Sequence, residues 1–241
     1  MPLKPLFDLH THTVASGHAY STLKENLAAA KEAGLMAMGT SDHCPSMPGP
    51  IEKTFFENYR IFPDSVDGVR LLKGMEANIM DFDGNLDGGQ VMATMDYVIA
   101  SLHSHCIRSG SAEENSRAVI NAMKNPYVKI LGHLDDGRYP LDYDAVVRAA
   151  QDYGVALEIN NSSLLPSSAR LNGPHWVRVL LQKARETKAP VVMGSDAHIW
   201  CSVGALDEAQ RAITAMVFPQ ERVLNYTGKG LAWLLRQRPC W

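Results

Sequence analysis

The chain has 241 residues, with 23 Lys and Arg against 26 Asp and Glu and a formal charge of −3. That length suits one large domain, and the 46% hydrophobic content is enough to bury a core. Basic residues are scattered except for the short run "LLRQRP", which argues against a nucleic-acid partner, and no apolar run reaches the roughly 18 residues of a membrane span.

The first predicted element is "PLFDLHTH", a short strand built on Leu6, Phe7 and Leu9. Side chains alternate along a strand, so His10 and His12 share a face, with Asp8 behind them. Two imidazoles a step apart on one face can chelate a metal; the plain alternative is one buried and one exposed structural histidine. His18 follows in the next loop, within reach of the strand end. Thr22 and Glu25 form a capping-box pair at the head of "TLKENLAAAKEAG", and Gly34 stops that helix. "LMAMGTSDH" reads as a buried strand ending at His43. Residues 44–65 carry Pro45, Pro48, Pro50 and Pro63 and read as a long loop with one helical stretch, "KTFFENYR".

"VRLLKGMEANI" is the next strand, with Glu76 near its end. "DFDGNLDGG" is turn chemistry. "DYVIASLHS" is a strand ending at His103. Three helix–strand pairs follow: "AEENSRAVINAMKN" before "VKILGHLDD", which ends at His133; "DYDAVVRAAQDYG" before "VALEINNSS"; and "PHWVRVLLQKARETK" before "PVVMGSDAH", which ends at Asp196 and His198. "ALDEAQRAITAM" and "RVLNYTGKGLAWLLRQ" read as closing helices. With no linker and no repeat, residues 1–241 form one domain.

About seven strands alternating with helices predict an α/β fold with a parallel sheet. The length favours closure into a (β/α)7 barrel, and no G-x-G-x-x-G follows a strand to suggest dinucleotide binding. Barrel enzymes place their chemistry at the C-terminal strand ends. Those ends carry His10, His12, His43, Glu76, His103, His133, Asp196 and His198, and His18 lies nearby. Of the nine histidines only His105 and His175 fall outside this set. A single catalytic zinc takes about three protein ligands, so this many donors suits two or three ions. Nitrogen and oxygen donors without thiolate fit divalent zinc first, with manganese or iron as alternatives.

The runs "DLHTHTVASGHAYS", "SDH", "GMEAN", "LEINNSS" and "GSDAH" resemble the PHP (polymerase and histidinol phosphatase) family, and within it the YcdX-type phosphatases, over nearly the whole chain. The resemblance implies a distorted seven-stranded barrel with a trinuclear metal centre at the C-terminal strand ends. It implies that His10, His12, Glu76 and Asp196 hold one ion, that Glu76 bridges to a second held by His103 and His133, and that His18, His43 and His198 hold the third. The chain departs from the family pattern where Cys44 precedes Pro45, where strand five ends "GHLDD", and where His105 follows His103. These changes fall on pocket loops and leave the ligand set intact.

Three divalent ions against Glu76, Asp196 and a hydroxide leave a pocket of about +3 by formal count, suited to a phosphomonoester dianion. The expected activity is therefore hydrolysis of small phosphorylated molecules by a metal-activated hydroxide, with Asp196 available to guide the water proton and no obvious leaving-group acid. An amidohydrolase or nuclease on the same centre, or a non-catalytic metal-binding module, are the rival readings. Arg60, Arg108 and Arg138 lie on loops expected to rim the pocket, where guanidinium groups could clamp phosphate. His105 has the strand parity of His103 and is a candidate contact. Glu158 and Asn160 share a strand face and should hydrogen-bond ligand imidazoles. Cys44 reads as a small buried residue and His175 as structural. Cys44, Cys106, Cys201 and Cys240 form no C-x-x-C pair, and the start "MPLKPLFDLH" lacks the apolar core of a signal peptide. A reducing, cytoplasmic setting is expected. An oligomer is compatible with the sequence, its state unspecified.

Overall fold

The structure, a computed structural model, describes residues 3–49 and 51–236. Pro50, Cys240 and residues 237–239 of the basic run, with the last residue of the expected C-terminal helix, lie outside the described residues. Seven parallel strands run in the order β1 (Phe7–Asp8), β2 (Ala37–Thr40), β4 (Val69–Asn78), β5 (Tyr97–Ser101), β6 (Val128–Leu131), β7 (Ala156–Asn160) and β8 (Val191–Gly194). Six helices fall where the periodic segments predict them: α1 (Leu23–Glu32), α2 (Lys53–Glu57), α3 (Ala112–Ala122), α4 (Tyr143–Tyr153), α5 (Gly173–Glu186) and α6 (Asp207–Ala215). Capping boxes at Thr22–Glu25 and Ser111–Glu114 start α1 and α3. No helix among the described residues is long and apolar enough to cross a membrane.

Strand parity sorts the core. Phe7, Leu9, Leu72, Tyr97, Ile99, Ile130, Ala156 and Val192 cluster together inside the barrel. Their strand neighbours Met75, Val98, Ala100, Leu157, Val191 and Met193 pack instead with residues of the outer helices. Tyr97 fills the middle of the barrel and donates its hydroxyl to the Leu9 carbonyl at 2.6 Å. Gly39 and Gly74 make that possible, since a Cβ on either would sit 2.0 or 2.2 Å from the Tyr97 ring and hydroxyl.

Three local readings are corrected. The loop 44–65 ends in a strand, β3 (Ser65–Val66), that pairs antiparallel with β4 across a turn at Asp67 and Gly68, both at positive φ. Asp-Gly is the residue pair such a tight hairpin favours. The last predicted helix is broken into two 3-10 turns, Gln220–Arg222 and Leu224–Tyr226, followed by α7 (Gly228–Leu235). Thr227 caps α7 through Gly230, which ends the preceding turn there. Asp8 is fully buried but turns away from the imidazoles, accepting from the backbone N–H groups of His10, Ser195 and Gly204.

The barrel is nearly closed. Between β1 and β8 no ladder forms; Thr11 bridges Ala197, and the Asn225 side chain bonds both strands further down. Asn225 accepts from the Met193 N–H at 2.7 Å and donates to the carbonyls of Phe7 and Met193 at 2.9 and 3.0 Å, while its own carbonyl accepts from Leu6 N–H. A side chain thus takes the place of missing strand pairing, so the buried backbone groups along the seam stay bonded.

Candidate metal centre

Every strand end named above delivers its side chain to one place. The rings of His10, His12, His43, His103 and His133 form a closed circuit: His10–His12 at 5.2 Å, His12–His43 at 4.4 Å, His43–His103 at 5.0 Å, His103–His133 at 5.1 Å and His133–His10 at 6.0 Å between centroids. His18 and His198 add a second tier, 4.9 Å from each other and 5.0 and 4.3 Å from His43 and His12 respectively.

Glu76 stands at the centre of the circuit and is fully buried. Its Oε2 lies 3.4 Å from His10 Nε2, 3.5 Å from His12 Nε2 and 2.8 Å from His43 Nδ1. Its Oε1 lies 3.3 Å from His103 Nε2 and 2.9 Å from His133 Nε2. Asp196 Oδ1 faces His10 and His12 at 3.4 and 3.3 Å. Three overlapping triads bring their donor atoms close enough to share an ion: His10–His12–Glu76, His43–Glu76–His103 and His12–His43–His198.

His133 Nε2 meets Glu76 Oε1 at 2.9 Å, but other atoms that face inward lack hydrogen-bond partners. His10 Nε2, His12 Nε2, His43 Nδ1 and Glu76 Oε2 are buried without a hydrogen bond, an arrangement that is costly unless a ligand satisfies them. The outward ring nitrogens, by contrast, are bonded. His10 Nδ1 donates to Glu158 Oε1 at 2.6 Å, His103 Nδ1 to Asn78 Oδ1 at 2.7 Å and His198 Nδ1 to the Asp196 carbonyl at 3.0 Å. Each of these oxygens can only accept here, so a proton sits on Nδ1 and Nε2 is the nitrogen turned inward. This is the pattern by which ligand imidazoles are oriented in metal sites. The residues present therefore fit divalent ions.

Electrostatics divide the imidazoles: burial would lower His10, but Glu158, Asp196 and Glu76 outweigh it and hold it well above the usual range, so an ion there must displace a proton. Burial, reinforced by His198 and His43, holds His12 well below the usual imidazole range, and burial followed by His43 and His198 lowers His18. Neutral imidazole is the form that binds metal. Burial would raise the Glu76 carboxyl, but His103, His10 and His43 outweigh it and hold it well below the carboxylate range. His133 and Asp196 both carry left-handed backbone, at φ 29° and 55°. Such conformations cost about 1–3 kcal/mol in non-glycine residues and concentrate at functional sites.

Other expected residues fall differently. Glu158 and Asn160 do form supporting hydrogen bonds: Glu158 also accepts from His133 N–H at 2.7 Å, and Asn160 donates to Glu158 and Asp196. Gly194 leaves room for Glu158, because a Cβ there would lie 2.1 Å from its carboxylate. His105 is exposed in the turn after His103, and Arg60 and Arg108 are exposed. Arg138 is bound to Asp136 at 2.8 and 2.5 Å. Cys44 is buried with its thiol 3.6 Å from Met75 sulfur, and His175 lies exposed against Trp176.

Sequence reasoning missed Arg170. Its guanidinium donates to Asp196 Oδ2 at 2.6 Å and reaches Asn160 Oδ1 and Ser163 Oγ at 3.3 Å. It lies ten residues past Asn160 in an irregular loop, where no periodicity could flag it. Asp135 beside it is fully buried, with Arg170 and Ser163 the groups that favour its charge. Asn78 was findable, since it shares the strand face of Glu76 two residues on.

The PHP domain model matches residues 8–162 of this chain. The chain belongs to the PHP family. A "Probable phosphatase" of Caldanaerobacter subterraneus is 44% identical over 227 residues, covering 93% of this chain and 89% of that protein. Another of Clostridium acetobutylicum is 39% identical over 237 residues, covering 98% and 96%. Among solved structures, the histidinol phosphate phosphatase of Lactococcus lactis, determined with zinc, L-histidinol and phosphate, superposes with a TM-score of 0.62 at 19% identity, covering 89% of this chain and 95% of that one. That similarity shows the PHP barrel fold.

Proposed function

We propose that the chain is a metal-dependent phosphatase that hydrolyses small phosphomonoesters at a trinuclear centre. The observation that carries this reading is Glu76: each oxygen faces its own set of imidazoles, the arrangement a carboxylate needs to bridge two ions. His10, His12, Glu76 and Asp196 would hold one ion, Glu76, His103 and His133 a second, and His18, His43 and His198 a third, zinc being the first choice. Ions held there supply Lewis acidity, an activated water at neutral pH and a clamp for phosphate oxygens. The chain's own contribution is orientation. Arg170 and Asn160 occupy Asp196 Oδ2, which leaves Oδ1 for ligation. Burial would raise that carboxyl, but His10 and Arg170 outweigh it and hold it well below the usual range, which favours the ionised form that ligation needs. The names of the curated relatives support the phosphatase reading.

The test is elemental analysis of protein never exposed to chelator, followed by a phosphate-release screen over small phosphoesters, with Glu76→Gln alongside. Two to three divalent ions per wild-type chain and phosphate release are expected. The folded Glu76→Gln variant should lose one or both bridged ions and most turnover, because a neutral amide cannot offset the repulsion between two cations. One ion or none in the wild type, full loading with near wild-type turnover in the variant, or a kcat/KM highest on DNA would each overturn part of the reading.

A further inference from the structure

Two ligand-bearing loops meet at a buried carboxylate that holds no metal-facing atom. Asp42, fully buried, immediately precedes His43. Its Oδ1 accepts from Thr13 N–H and from the Ser16 hydroxyl, both at 2.7 Å. Its Oδ2 accepts from the hydroxyls of Thr13 at 2.9 Å and Thr40 at 3.3 Å. Thr13 and Ser16 follow His12, so this one carboxylate ties the loop after β1 to the loop after β2.

Ser16 has a single hydroxyl hydrogen, and Asp42 can only accept it. The Ser16 oxygen is left as an acceptor, and two groups sit at 3.2 Å from it: the His43 backbone N–H and His12 Nδ1. His12 Nδ1 must therefore carry the ring proton. Its Nε2, 3.5 Å from Glu76 Oε2 and 3.3 Å from Asp196 Oδ1, is then the bare nitrogen.

We infer that Asp42 and Ser16 are positioning residues: the Asp42 charge, relayed through the Ser16 hydroxyl, fixes the tautomer of His12 and sets its strength as a ligand. His10 obtains the same effect from Glu158 directly, and His12 obtains it through one intervening hydroxyl. The inference rests on the metal-centre reading above but is tested separately from it.

The probe is zinc, titrated against a competing chelator into the full chain, with nitrogen-15 spectra of the imidazoles in the metal-free protein. Wild-type His12 should show a proton on Nδ1 and a bare Nε2. Ser16→Ala should leave a mixture of tautomers and weaken the tightest affected zinc site about 10- to 100-fold, the range typical of lost supporting partners. Thr40→Val also removes one hydrogen bond to Asp42 but touches no imidazole. It should leave the His12 tautomer unchanged and zinc affinity within about twofold. A bare Nδ1 on wild-type His12 would overturn the relay without any variant. So would a Ser16→Ala protein with wild-type tautomer and affinity, or equal losses in Ser16→Ala and Thr40→Val, which would mean that the network only holds the loops together. Absence of zinc binding by the wild type would instead defeat the metal-centre reading itself.

Discussion

Asp135 is a buried carboxyl whose surroundings suit its charge poorly. Burial pushes its carboxyl up to about 7, even with Arg170 nearby. In the native chain it keeps its proton to about neutral pH, while an unfolded Asp releases it near pH 4. Between those values the folded state binds more protons, so this group's contribution to stability falls as pH rises through the window. In metal-free protein, Asp135→Asn should gain stability over wild type at pH 8, by up to about 4 kcal/mol, and gain none at pH 4. Denaturant melts at both pH values would show this. An equal difference at both would mean that Asp135 is not an ionisable burden on the fold. The candidate ligands were legible in the sequence because all but His18, which lies in the loop after the first, fall at strand ends. Asp135 and Arg170 were not, because their significance comes from each other and from Asp196, and irregular loops have no period to read.

At the scale of elements, the glycines at Gly39 in β2 and Gly74 in β4 face the Tyr97 ring of β5. Overpacking a filled core typically costs about 1–3 kcal/mol, so Gly39→Ala should destabilise by at least that much. Gly228, at the start of α7, has open space where a Cβ would go, and Gly228→Ala should stay within about 0.5 kcal/mol of wild type. Thermal or urea melts of the two variants test the contrast, and similar losses in both would show that Tyr97 has room to shift. Periodicity made the strands and α1–α6 readable. It failed at β3, a two-residue strand too short to alternate, and at the C-terminal helix, where Asn225 is drawn into the seam by strands near the start of the chain. Helical pattern around "RVLNYTGKG" was real but yielded to those long-range bonds.

For the whole molecule, four inward-facing atoms of the histidine circuit, on His10, His12, His43 and Glu76, are buried without a hydrogen bond, so binding and folding should be coupled. A ligand that binds only the folded state stabilises it by about 2.7 kcal/mol at a hundred times its dissociation constant. Chelation should lower Tm, and excess zinc or manganese should restore it in a concentration-dependent way. A Tm indifferent to chelator and to added metal would separate the circuit from ion binding.

The Asn225 clip also has a consequence in time. It bonds the Phe7 carbonyl across 218 residues of sequence. During synthesis at about 5–20 residues per second, β1 leaves the ribosome roughly 10–40 s before Asn225 exists. Until β8 and the Ala197 bridge emerge, the first strand has β2 on one side and an open edge on the other, and below that bridge the edge waits for Asn225. The barrel can zip from β1 towards β8 as each strand emerges, but the joint that turns a curved sheet into a barrel waits for Asn225. The growing chain therefore passes through an unfinished arc, and the hazards of an exposed strand edge fall on the ribosome-bound intermediate rather than on the finished protein.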